Sequence, residues 1–220
     1  MNITVLSLSA AGADGIRVCF ELCCGENSER RAFVISADAF TRLKISKGQC
    51  SSALYDEVES EAKIYSAYSR GLYVLGYGSC SKNMLISKLI AKGEDKMASV
   101  EAVERIEERG FLDEGESARR EAEICARKLW GECRIRAFLQ QKKYQSQAID
   151  QALFALEDAG LDFDESCKNA IRQKYKELPA DRQEMQKLIA AICRLGYSAS
   201  QVQSACRDLR GEYRLKWIYS

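Results

Sequence analysis

The chain has 220 residues, of which 46% are hydrophobic and 30% charged, with a formal net charge of +1. That balance argues against general disorder and against a globally basic nucleic-acid binder. There is no histidine, which removes histidine-based zinc sites, histidine general bases and Ser-His-Asp triads.

In chain order, residues 3–8 alternate as ITVLSL, residues 16–23 read IRVCFELC, and residues 32–35 are apolar again. These runs predict short strands, with turns at residues 12–15 and 25–28, and so a small antiparallel sheet. Ser36 is placed to cap a short helix containing Phe40 and Leu43. Lys47 and Gly48 mark a break. From about Ser52 the spacing is helical throughout, and the single proline, Pro179, interrupts little. Core-facing stripes are predicted at Ala62, Tyr65, Leu72 and Leu75, then Leu85 and Leu89, then Val100, Val103 and Ile106. They continue with Ala118, Ala122, Cys125 and Leu129, then Ile135, Phe138 and Leu139, then Ile149, Leu153 and Leu156. The last are Ala170, Ile171 and Tyr175, then Leu188, Ile189 and Ile192, then Val202, Cys206 and Leu209. No apolar run approaches the ~18 residues of a membrane span. Residues 1–10 carry no basic segment ahead of an apolar stretch, so a cytoplasmic protein without a secretory signal is expected.

Three helices are expected to end in glycine plus an apolar residue, at Gly110-Phe111, Gly160-Leu161 and Gly196-Tyr197. Glycine accepts the left-handed conformation that closes a helix, and the next side chain can fold back onto the last turn. Two of these ends lead into start signals, in which Asp113 and Asp162 are each followed three positions on by a glutamate, Glu116 and Glu165. Leu89 to Gly93 is matched by Leu139 to Lys143, and Arg109 to Asp113 by Ala159 to Asp162, at an offset near 50 positions. The expected fold class is mainly α: tandem three-helix repeats in an elongated array, preceded by a small β-rich N-terminal region. The expected division is a β-rich region with a short helix over 1–60, then repeats over 61–112, 113–161 and 162–220.

The order of these motifs carries a resemblance. Ala67, Arg70-Gly71-Leu72, Ser79-Cys80-Ser81-Lys82, Leu85, Lys88-Leu89, Lys92-Gly93 and Gly110-Phe111-Leu112-Asp113-Glu114 form a first unit. Gly131-Glu132-Cys133-Arg134-Ile135, Leu139, Lys142, Ile149 and Ala152-Leu153 form a second. Arg194-Leu195-Gly196-Tyr197-Ser198 and Val202 close a third. Over roughly residues 60–210 the chain resembles the RecX family. It departs from the family pattern at Lys142-Lys143, where a Lys-Gly pair is usual, and at Asn83-Met84, where more charge is usual. The resemblance implies a modulator of the RecA recombinase, lying in the helical groove of the RecA–DNA filament. Such a protein inhibits ATP hydrolysis and strand exchange or limits filament growth, without a catalytic centre. No cofactor or metal is expected. The expected partners are the RecA filament and DNA within it, not a membrane, and the chain is expected to be a monomer.

Charge is distributed in blocks. Residues 94–123 carry a net −6 and residues 127–143 a net +5, a pattern suited to a partner that is itself charged in patches. Arg134 and Arg136 flank Ile135, which should face the core and leave both guanidiniums on its shoulders. With Arg127, Lys128, Lys142 and Lys143 they form the principal candidate surface for partner or DNA contact. The resemblance also allows Arg134 to pair with an acid of the preceding repeat. A second candidate is Arg207, Arg210, Arg214 and Lys216 with Trp217 and Tyr219, where aromatics among basic residues could stack on bases. Trp130 reads as a packing residue, as does Trp217.

Two other functions compete. One is a helical-repeat nucleic-acid-binding protein acting without a recombinase, which predicts salt-dependent DNA binding. The other is a thiol enzyme or redox sensor, for which Cys133 beside Arg134 is the one candidate among ten cysteines. Cys125, Cys167, Cys193 and Cys206 are expected to be small core residues.

Overall fold

Three ten-residue strands open the chain: β1 (Asn2–Ala11), β2 (Gly15–Cys24) and β3 (Asn27–Ser36). A computed structural model describes residues 2–25 and 27–218, with residues 212–218 described by backbone alone. The strands pair antiparallel, and a three-residue β4 (Gly48–Cys50) adds to β1, giving the order β3-β2-β1-β4. The period of two sends Val18, Phe20 and Leu22 to the buried face with Ile3, Val5 and Ile35. A register shift between Val5 and Ser7 interrupts the β1–β2 ladder. Two features exceed the sequence expectation. Strand β3 begins well before its apolar residues, because exposed Glu29, Arg30 and Arg31 continue the ladder opposite Leu22, Glu21 and Phe20. Strand β4 occupies the break expected at Gly48, and three residues are too few to show a period.

Ser36 accepts from the Ala39 N–H at 3.1 Å and starts α1 (Ala37–Leu43). Helix α2 (Ser52–Leu75) then serves two cores. Its Tyr55 and Val58 pack with the sheet, and its Ala67 and Tyr68 pack with α3 (Lys82–Ala91) and α4 (Lys96–Glu108) around Leu85, Leu89, Val103 and Ile106. The buried face of α2 differs from the predicted stripe. Tyr55, Val58, Glu61, Ala67, Tyr68 and Gly71 are buried, whereas Ala62, Tyr65, Leu72 and Leu75 are only half-buried. A glutamate and a glycine within the covered stripe hide it from a reading based on apolar periodicity. At Gly71 an added Cβ would lie 2.6 Å from Ile106 Cδ1, so glycine here sets the close approach of α4 to α2.

By internal contacts the chain divides into two compact units, Met1–Leu112 and Asp113–Ser220. In the second unit, α5 (Glu114–Arg127), α6 (Glu132–Gln141) and α7 (Ser146–Asp158) enclose Ala118, Ala122, Cys125, Ile135, Leu139, Ile149 and Leu153. Helices α8 (Phe163–Lys174), α9 (Arg182–Cys193) and α10 (Ala199–Ile218) enclose Cys167, Ile171, Leu188, Ile192, Val202, Cys206 and Leu209. Helices α3 and α6 have equal length, as do α4 and α7, and each pair starts 50 positions apart. The fold is therefore mainly helical, with ten helices and one small antiparallel sheet among the described residues.

The expected punctuation is present locally. Gly110, Gly160 and Gly196 hold φ of 76°, 88° and 99°. Asp113 accepts from the Glu116 N–H at 2.9 Å, and Asp162 accepts from those of Asp164 and Glu165. Tyr197 folds into the core as anticipated, but Phe111 is 59% exposed. The Phe111 N–H still closes α4 onto the Ile106 carbonyl at 3.0 Å, and Leu112 supplies the buried side chain instead. Among the described residues no helix is long and apolar enough to cross a membrane.

A cation–aromatic face and the family it belongs to

Helix α5 ends at Arg127 with Lys128 as its C-cap, and Leu129 turns the chain through a φ of 55°. Trp130 follows, and Gly131 opens α6 without a side-chain cap. This turn lies against the turn between α9 and α10. The Gly131 N–H donates to the Leu195 carbonyl at 2.7 Å, and the Tyr197 hydroxyl donates to the Leu129 carbonyl at 3.1 Å. An added Cβ on Gly131 would lie 2.6 Å from the Gly196 carbonyl carbon and oxygen, and one on Gly196 would lie 2.5 Å from Arg134 N and Cβ. Two glycines thus allow the two backbones to touch. Burial pushes the Tyr197 phenol above its ordinary value.

Arg134 spans this crossing. Its guanidinium stacks 3.9 Å from the centre of the Trp130 ring and donates to the Arg194 carbonyl at 3.2 Å, at the end of α9. It holds a helix end, and among the described residues it pairs with no acid. Lys128 Nζ lies 5.6 Å from the Trp130 ring centre, and Lys142 Nζ lies 4.8 Å from that of Phe138. The two rings meet edge to face at 5.5 Å. Lys128, Trp130, Arg134, Phe138 and Lys142 therefore form one alternating band of cations and aromatic rings from the end of α5 to the end of α6.

The other candidate residues divide by what they already touch. Ile135 is buried and leaves Arg134 and Arg136 on its flanks, as the spacing predicts. Arg136 is committed to Asp150 at 2.5 Å and Glu132 at 3.2 Å, and these carboxylates raise its guanidinium further above its ordinary value. Lys142 reaches Glu121 at 2.5 Å. Arg127 meets Glu123 only at 3.9 Å and stays 79% exposed. Lys143 sits at a φ of 62°, where the family pattern has glycine, and is exposed. Local pairing thus consumes part of the +5 block, and the exposed charge concentrates at Arg127 and Lys128. Arg194 adds an exposed cation beside Arg134 and makes no ion pair among the described residues.

Of the second candidate group, Arg207 and Arg210 are exposed on α10 without an ion pair among the described residues. The side chains of Arg214, Lys216 and Trp217, and all of Tyr219, lie outside the described residues. Cys133 is exposed, while Cys125, Cys167 and Cys206 are buried and Cys193 is half-buried. Among the described residues no group of three metal-binding side chains converges.

Reading for charge alone misses Trp130 and Phe138, since one reads as packing and the other as core. Their spacing with Arg134, at four-residue steps from the turn before α6 into the helix, is the signal that links them.

The geometry defines a mainly helical protein with a small N-terminal sheet and a cation–aromatic band on its second unit. No protein-family profile matches the chain. It is 30% identical over 154 residues to regulatory protein RecX of Chlorobaculum tepidum, covering 69% of this chain and 93% of that protein. It is also 30% identical over 139 residues to regulatory protein RecX of Xanthomonas axonopodis pv. citri, covering 63% of this chain and 84% of that protein. A crystal structure of regulatory protein RecX superposes with a TM-score of 0.70 at 17% identity, over 93% of this chain and 99% of that one. The RecX structure from Lactobacillus salivarius gives 0.58 at 15% identity, over 67% and 97%. The chain belongs to the RecX family.

Proposed function

We propose that this chain regulates the RecA recombinase by docking onto the RecA–DNA filament, lowering its ATP hydrolysis and strand exchange without catalysing a reaction itself. Membership of the RecX family, supported across 93% of the Chlorobaculum relative, is the observation that carries this reading. In this reading α2–α4, α5–α7 and α8–α10 act as three tandem helical units. Arg127, Lys128, Arg134, Lys142 and Lys143 meet the partner, with Arg207 and Arg210 as a second contact. Arg136 contributes less, because Asp150 and Glu132 already occupy it. A cationic band with little local neutralisation at its Arg127 end suits a polyanionic partner surface.

Titrating the chain into RecA with single-stranded DNA and ATP tests the proposal. Inhibition of ATP hydrolysis at or below one chain per RecA is expected. Arg127→Glu with Lys128→Glu should shift the curve to higher concentration while circular dichroism stays unchanged. No change in ATP hydrolysis or strand exchange over that range would reject the reading. Tight, salt-dependent DNA binding with unaltered filaments would instead favour a nucleic-acid binder acting alone.

A further inference from the structure

The first unit holds an open groove of about 690 Å³, within the ~300–1,000 Å³ typical of ligand clefts. One wall is Ala32, Phe33 and Val34 of β3, and the other is Ala62, Tyr65, Ser66, Ser69, Arg70 and Tyr73 of α2. Successive side chains of a strand point to opposite faces. A groove lined by three consecutive strand residues therefore runs along the strand's edge rather than over one face. Strand β3 is an outer strand of the sheet, with only β2 beside it, so its far side presents backbone N–H and C=O groups. Charged residues usually guard such an edge. Here Glu29, Arg30 and Arg31 guard the first half, whereas residues 32–35 (Ala-Phe-Val-Ile) carry no charge, and that unguarded half faces the groove.

The helical wall leaves room for a chain. Ala62, Ser66 and Ser69 are small, and the stripe from Ala62 to Tyr73 rises ~16 Å, the reach of about five extended residues. Tyr73 is 63% exposed and stacks edge to face on Tyr77 at 5.1 Å, giving an aromatic flank at the far end. The charged side chains lining the groove are both cationic, Arg70 and Lys92. They lie together, since Arg70 donates to the Lys92 carbonyl at 3.3 Å. Glu94 already engages Arg70 at 2.8 Å, but Lys92 is exposed and has no carboxylate partner among the described residues.

The geometry points to a peptide-docking site: an extended segment of a partner protein adds to the edge of β3, lies against α2, and directs a carboxylate side chain to Lys92. Main-chain hydrogen bonds to the strand supply affinity, and the cationic end fixes direction and preference for acidic sequence. This site shares no residue with the basic band on α5 and α6, and the inference does not rest on that band.

The test uses the full chain and two fluorescein-labelled peptides of about eight residues, each with a valine–threonine alternation, one ending in two glutamates and one in two lysines. Fluorescence anisotropy should show saturable binding of the acidic peptide and binding of the lysine peptide weaker by about fivefold or more. Lys92→Glu should reverse that preference, and Ser69→Trp, which fills the groove from an exposed helical position, should abolish binding of both. Hydrogen exchange should slow at those amides of residues 32–34 that face away from β2 when the acidic peptide is present. The proposal is overturned if neither peptide saturates, or if neither substitution alters binding. It is also overturned if residues 32–34 are protected without peptide in a concentration-dependent dimer, or if a single-stranded oligothymidine slows exchange there in the peptide's place.

Discussion

Arg105 places both of its terminal nitrogens on the Glu61 carboxylate, Nη1 at 2.9 Å from Oε2 and Nη2 at 3.1 Å from Oε1, while Arg42 reaches the same carboxylate at 2.5 Å. One acid thereby ties α1, α2 and α4 together. The Glu61 side chain is only 10% exposed, and Arg105 holds its carboxyl below the usual carboxylate range despite its burial. A carboxyl depressed in the folded state stabilises fully above its unfolded value, ~4.3, and loses that contribution as pH falls through the folded value. Urea unfolding should therefore show stability falling below about pH 4, and Glu61→Gln should flatten that slope. Glu61→Ala should cost about 2–3 kcal/mol at neutral pH, below the range for fully buried pairs because Arg105 and Arg42 remain partly solvated.

Glycine substitutions should separate contact from propensity. Gly131→Ala forces a Cβ onto the Gly196 backbone, so it should destabilise the second unit by roughly 2–4 kcal/mol as the two turns move apart. Gly211 lies in α10 with open space around its added Cβ. Gly211→Ala should instead stabilise by about 0.5–1 kcal/mol. Thermal melts of the two variants beside the parent chain check both signs.

Arg134 and Arg136 look equivalent in the sequence, being two positions apart around Ile135, but their surroundings differ. Arg134 stacks on Trp130 and closes α9, whereas Arg136 meets exposed carboxylates. Arg136→Glu should change stability by less than about 1 kcal/mol. Arg134→Glu should cost about 2 kcal/mol, since the stacked cation and its bond to a helix-end carbonyl are both lost. Equal unfolding midpoints for the two variants would contradict the structural role of Arg134.

What the sequence made legible follows from how local each signal is. Asp113, Asp162, Gly110 and Gly196 act on neighbours within one helical turn, so their roles as start and stop signals are readable from a short window. Ser36 capping α1 belongs to the same class. The buried face of α2 was not readable, because Glu61 is covered only when Arg105, 44 positions away, arrives to pair with it. The extent of β3 was hidden for a related reason: residues 28–31 are polar, and their strand conformation comes from the ladder with β2 rather than from their own pattern. At the candidate site the basic residues could be enumerated from the sequence. Which of them were already committed, as Arg136 to Asp150 and Lys142 to Glu121, depended on contacts between helices.

The ten cysteines should sort into reactive and protected sets by burial. Cys24 and Cys133 are exposed, whereas Cys80, Cys125, Cys167 and Cys206 are buried. Burial pushes the Cys125 and Cys206 thiols up, and the Cys167 thiol up to about 12. The thiolate is the attacking species, so a buried thiol with a raised pKa is doubly protected. Timed alkylation with iodoacetamide at pH 8 followed by peptide mass mapping should label Cys24 and Cys133 first, and Cys167 only after urea is added. The exposed Cys133 should react at the rate of an ordinary accessible thiol, matching Cys24. A rate much above that of Cys24 would show activation by its basic neighbours and revive the thiol-enzyme reading. Early labelling of Cys167 would show that the core of α8, α9 and α10 opens under native conditions.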